Sequence, residues 1–100
     1  MELKAIYDAR ASFYGKAKVE IEEDCTSYNE ILKSYGKVVA IYTEDKITNL
    51  KQFSFLGVFS QTTTRHQKEF FKQKGLDDDK INEIIKESKE KGGLVVYEKN

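Results

Sequence analysis

The apolar residues of this 100-residue chain change their period once, near Gln61, and that change does most to limit what the chain can fold into. Upstream the repeat is two. Ala17, Val19 and Ile21 face one way while Lys18, Glu20 and Glu22 face the other, the pattern of a half-buried strand. Residues 38–42 (Val, Val, Ala, Ile, Tyr) are largely β-branched and read as a strand. Residues 43–46 are polar and turn-like, and residues 47–50 are expected to pair back as a further short strand. Phe53, Phe55 and Phe59 then share one face, with Leu56 and Val58 on the other. A strand apolar on both sides is central in its sheet or covered.

Downstream the spacing becomes helical. Thr64 as N-cap places Gln67 at the third helical position of a capping box, and Phe70 and Phe71 supply the buried stripe with Thr63 or Gln67 a turn earlier. Gly75 ends this helix. A second one opens with Asp77 as N-cap, Leu76 and Ile81 placed as a hydrophobic staple, and Asp78 and Asp79 in the first turn. Ile81, Ile84, Ile85 and Ser88 follow on one face, Glu87 and Lys91 pair four apart, and Gly92-Gly93 stops the helix. Residues 94–97 (Leu, Val, Val, Tyr) have the composition of a closing edge strand.

Residues 27–35 admit two readings. Ser27-Tyr28-Asn29-Glu30 fits a capping box, and Tyr28, Ile31, Leu32 and Tyr35 recur at helical spacing before Gly36. The competing reading is a strand that turns at Tyr35-Gly36-Lys37. Local propensity alone favours the short helix.

The whole is one α+β domain over residues 1–100: a mainly antiparallel sheet packed against two C-terminal helices, with a short closing strand. Strand order and oligomeric state are left open. Seventeen basic and seventeen acidic residues cancel, which argues against a strong nonspecific polyanion binder. The single cysteine, Cys25, sits beside Glu22, Glu23 and Asp24, a setting that disfavours a thiolate. No apolar run is long enough to cross a bilayer, and no signal-peptide core is evident, so the cytoplasm is the expected location.

No catalytic, metal or cofactor constellation stands out. His66 is the only histidine, with no second ligand at zinc-binding spacing, and is expected at the surface or half-buried; acid–base work with Glu69 is a distant alternative. Asp77-Asp78-Asp79 lacks the alternation of a calcium loop and reads as capping. Charge, however, is uneven. Residues 51–75 carry Lys51, Arg65, Lys68, Lys72 and Lys74 against Glu69 alone, a net of plus four. Arg65, Lys68 and Lys72 share a helix face, and with the hydroxyls of residues 62–64 they suit an anion or a partner surface. The plainer reading is a solvated charged face. Tyr14, Tyr35 and Tyr42, with Phe13, raise base stacking, but Glu20, Glu22, Glu44 and Asp45 nearby favour core or interface packing.

Two stretches, Tyr7-Asp8-Ala9-Arg10-Ala11-Ser12-Phe13-Tyr14-Gly15-Lys16-Ala17 and Gln61-Thr62-Thr63-Thr64-Arg65-His66-Gln67-Lys68-Glu69-Phe70, with Leu32-Lys33-Ser34-Tyr35 between them, carry a resemblance. Together they resemble a family of small, functionally uncharacterised domains of Gram-positive bacteria and their phages and plasmids, over roughly residues 5–75. The resemblance implies strands followed by a helix, which shifts residues 30–34 to strand and makes the acidic second helix and closing strand an extension. It implies no catalytic residue and no cofactor. Its phage or mobile-element setting implies a small non-enzymatic interaction protein acting on a host or phage protein, including an inhibitor of a host defence complex such as a CRISPR nuclease. The expected contact residues are Arg10, Tyr14, Thr64, Arg65, Lys68 and Lys72. The alternative is a nucleic-acid or nucleoprotein-binding accessory protein that uses the same basic helix face. Neither reading involves a membrane.

Overall fold

A computed structural model describes residues 1–4, 6–7 and 15–99. Five strands form one antiparallel sheet in sequential order: β1 (Ala17–Glu23), β2 (Ser27–Ser34), β3 (Lys37–Asp45), β4 (Lys51–Phe55) and β5 (Val95–Lys99). Two helices, α1 (Gln61–Gln73) and α2 (Asp78–Lys91), lie between β4 and β5 in the chain. Helix α1 packs over β2 and β3, and α2 over β4 and β5, so the helices cover one face of the sheet. The α+β architecture expected from the period change is the one observed.

Each hairpin has a local cause. Asp24 Oδ1 accepts the backbone N–H of Thr26 and of Ser27, both at 2.8 Å, and these bonds hold its carboxyl below the usual carboxylate range. Ser27 therefore begins a strand. The helical spacing of Tyr28, Ile31 and Leu32 has no structural counterpart: Glu30, Leu32 and Ser34 are buried on the helix side while Ile31 takes the opposite face. Pairing on both edges, with β1 and β3, outweighs a capping signal that a short isolated helix has too little length to use. Tyr35 (φ 53°) and Gly36 (φ 81°) make the two-residue turn to β3, left-handed at both positions as the twist of a tight hairpin requires.

Other expectations need correction. Residues 47–50 form no strand: Asp45 Oδ1 accepts from Ile47 N and Thr48 N, Ile47 lies in solvent, and the pairing strand begins at Lys51. The strand carrying Phe53 and Phe55 ends at Phe55, so Phe59 leaves the shared face and stands 45% exposed. Ile21 is likewise exposed, although Ala17 and Val19 on its face are buried. Helix α1 starts earlier than the capping box at Thr64 suggests. Ser60 is the N-cap, its Oγ accepting from Thr63 N at 3.1 Å, while Thr64 Oγ1 donates back to Ser60 O. The expectations for α2 hold. Asp77 caps it through Lys80 N, Leu76 and Ile81 are buried, and Gly92 ends it in the left-handed conformation.

The core lies between sheet and helices. Phe53, Phe55, Phe70 and Phe71 are fully buried, with Phe53 and Phe71 edge to face at 5.5 Å and Tyr42 and Phe53 at 5.1 Å. Cross-strand register sends the opposite row, Glu20, Ile31, Ile41, Ser54 and Val96, to the face the helices leave open. Residues 1–3 run beside β1, with Leu3 N donating to Ala17 O and Val19 N to Met1 O. Among the described residues no helix is long and apolar enough to cross a membrane.

Candidate interaction site

The polar residues of α1 divide between its two faces. On the inner face Thr63, His66, Gln67 and Glu69 are all buried, His66 to 1% exposure and Glu69 to 2%. Ser34 Oγ, at the end of β2, lies 2.8 Å from His66 Nδ1 and 3.1 Å from Thr63 Oγ1. Gln67 Nε2 donates to Val39 O at 2.9 Å and to Gly57 O at 3.0 Å. Val39 occupies the bulge where the β2–β3 register shifts, so Gln67 holds both that irregularity and the loop leading into α1. Glu69 Oε1 accepts from Tyr7 N at 2.8 Å and Glu69 Oε2 from Gln73 Nε2 at 2.7 Å, while Gln73 Nε2 also donates to Lys4 O. Three stretches distant in sequence thus meet on one helix face. Their chemistry is spent on joining the N-terminal segment, β2 and the β3 bulge to α1.

This overturns the expected surface or half-buried position of His66. Local sequence conceals the reason, because its hydroxyl partner lies 32 residues away. One signal was available: Thr63, His66, Gln67 and Phe70 follow the spacing of a buried helical stripe, with polar side chains occupying core positions. Tyr35 sits beside this cluster, its ring 6.0 Å from the His66 ring, yet remains 56% exposed on its turn. Tyr42 is buried beside Phe53. The buried position of Tyr42 agrees with core packing, the reading favoured over base stacking, while Phe13 and Tyr14 lie outside the described residues, as does Arg10.

On the outer face Thr64, Arg65 and Lys68 come together as expected. With Val58, Ser60, Gln61, Ile85 and Lys89 they line an open groove of about 450 Å³ between α1 and α2. Lys89, from α2, is a member the sequence reading missed. Lys72, by contrast, is engaged with Asp78 at 2.9 Å near the turn between the helices, where its ammonium also faces the Tyr7 ring. It lines a smaller recess with Tyr7, Arg65, Lys68, Glu69 and Asp78. Among the described residues Lys68 and Lys89 make no ion pair.

A second groove, of about 560 Å³, has the opposite character. Register places Glu23, Tyr28 and Glu44 in one row and Glu30 and Tyr42 in the next, on the helix side, and Gln73 and Lys74 from the end of α1 form a wall. Glu30 is nearly buried, and it accepts from Tyr28 Oη at 2.7 Å and pairs with Lys74. That hydrogen bond, with burial, pushes the Tyr28 phenol up to about 12; burial, with the Glu44 carboxylate nearby, pushes Tyr42 higher still. Lys46 pairs with Glu23 at 2.6 Å across the rim. No group of three or more histidine, cysteine or acidic residues suited to a metal ion occurs among the described residues.

No curated protein and no solved structure matches the chain. A family model does, across residues 1–89, which takes in all four N-terminal strands, α1 and α2 as far as Lys89. The match reaches farther than the 5–75 span of the resemblance, so α2 is part of the shared domain and β5 alone lies wholly beyond it. On that match the chain belongs to DUF8033, a family of unknown function.

Proposed function

We propose that this protein is a small non-enzymatic interaction module that acts by covering the surface of a protein partner. The division of labour on α1 supports this reading. Buried side chains with catalytic potential, His66 and Glu69 among them, tie elements together, while the cations of the opposite face line a groove open to solvent. Such a surface needs shape and a few anchors rather than a reacting centre. The resemblance to small proteins of Gram-positive bacteria, their phages and plasmids adds the setting: a cytoplasmic phage or mobile-element protein acting on a host or phage protein, with inhibition of a defence complex as one form of that action.

Affinity capture from the native host tests the reading, with the wild-type chain and the double variant Lys68→Glu/Lys89→Glu as paired baits. A protein should co-purify with the wild type and be lost with the variant, while the melting temperature of the two chains stays the same. Equal recovery by both baits removes the groove from the account. A nucleic-acid partner is the second reading, favoured by the three cations on the groove. It requires oligonucleotide affinity that falls steeply with salt, because phosphate contacts release counterions.

A further inference from the structure

The helix hairpin is closed near its turn by Lys72 and Asp78, and the larger α1–α2 groove lies farther on, between the first half of α1 and the last half of α2. Val58, with the small part of the otherwise buried Ile85 that folding leaves uncovered, gives this groove apolar carbon, which the stems of Lys68 and Lys89 extend. Its cations are Arg65, Lys68 and Lys89, and no carboxylate lines it among the described residues. Val58 is an aliphatic residue left 41% exposed, and Phe59 beside it is similarly uncovered, so the groove adjoins carbon surface that folding has not buried.

We infer that this groove receives an acidic segment of the partner protein, in which an aliphatic or aromatic side chain is flanked by Asp or Glu. The inference rests on the interaction reading above and adds the chemistry of the partner. Charge complementarity carries it: the apolar side chain covers Val58 and the uncovered edge of Ile85 while flanking carboxylates reach Lys68 and Lys89, neither of which makes an ion pair among the described residues. A nucleic-acid strand fits less well. Its phosphates satisfy the cations but bring no aliphatic surface to Val58 and Ile85, and Lys72, which would continue a phosphate track along α1, is held by Asp78. In a second copy the comparable stretch, Glu20-Ile21-Glu22, is held in β1 beside β2 and residues 1–3, where strand alternation turns both carboxylates to the face opposite Ile21, so it is not presented as a free segment.

The test uses the intact protein and a peptide array in which Leu, Ile or Phe is flanked by Asp and Glu. Matched arrays replace the carboxylates by Asn and Gln, or the apolar residue by Ser, and a single-stranded oligonucleotide serves as a competitor. Binding is expected to the first array only. Lys68→Glu/Lys89→Glu should weaken it roughly tenfold or more, two lost charge contacts at somewhat under 1 kcal/mol each. Val58→Asp should weaken it comparably, and both variants should melt as the wild type does. Binding that persists on the Asn/Gln array, survives the double variant, or is displaced equally by the oligonucleotide overturns the inference, as does an array with no binder. The interaction reading fails separately. A host protein captured equally well by wild type and double variant leaves that reading standing and removes this groove, whereas capture of nucleic acid in place of protein removes both.

Discussion

Gln67 is the most exacting test of the inner face of α1. Its amide nitrogen donates to Val39 O and Gly57 O from a fully buried position, and its Oε1 has no hydrogen-bond partner among the described residues. Replacing it by Leu keeps the volume and removes both donors. Val39 O retains the N–H of Leu56 at 3.1 Å, so the cost falls mainly on Gly57 O. One buried carbonyl left without a donor costs about 1–3 kcal/mol, part of it offset because Leu also removes the unpartnered Oε1. A loss of roughly 1–2 kcal/mol, about 5–15 °C in melting temperature for a chain of this size, is expected. Gln67→Glu preserves shape but turns a donor toward two carbonyls into a carboxylate. Its cost at neutral pH is greater, roughly 4 kcal/mol, and the buried carboxyl takes a raised pKa in the folded state. The folded protein then binds more protons than the unfolded chain between the ordinary glutamate value and that raised one. The variant's stability is therefore recovered below the ordinary value and lost as pH rises through the raised one. Thermal melts of wild type and both variants from acid to neutral pH measure this. A Glu variant no less stable than the Leu variant at neutral pH would refute the assigned hydrogen bonds.

Three further outcomes follow from the same geometry. Phe71→Ala, at the centre of the ring cluster, should cost about 3–5 kcal/mol, whereas Phe59→Ala should stay within about 1 kcal/mol; paired urea titrations separate them. Lys74→Met should destabilise the protein by leaving Glu30 with the Tyr28 hydroxyl alone, and adding Glu30→Leu should restore part of the loss, read as a double-mutant cycle in chemical denaturation. Because the folded Tyr28 phenol titrates above its unfolded value, its contribution is complete below about pH 10 and fades as pH rises toward about 12. Tyr28→Phe should therefore flatten the alkaline fall in stability.

How much of this was legible in the sequence depends on how local each cause is. Helix α2 was readable almost residue by residue, because Asp77, Leu76 with Ile81, and Gly92 act within a turn of where they stand. The start of α1 was misplaced by a few residues because Ser60 and Thr64 are both competent caps, and the backbone chose the earlier. The strand over residues 30–34 was implied by the family resemblance and not by local propensity: residues 27–34 carry a helical signal that pairing with the flanking strands β1 and β3 overrides. His66 was misjudged for the same reason, since nothing near it reveals Ser34. The site was half legible: the spacing of Thr64, Arg65 and Lys68 was visible, but Lys89, Ile85 and Val58 join them only through the packing of α2 and the loop before α1. The engagement of Lys72 by Asp78 was equally hidden.

Helix α1 is thus divided: one face fastens the fold, and the other is the proposed partner surface. Amide chemical shifts of the labelled protein, followed while an acidic–apolar peptide selected from the array is added, test it most directly. Changes are expected only at residues 58–68 and 85–89, with the amides of Ser34, Val39 and Tyr42 unmoved. Changes centred on Tyr28, Tyr42 and Asn49, or spread evenly through the sheet, would contradict it.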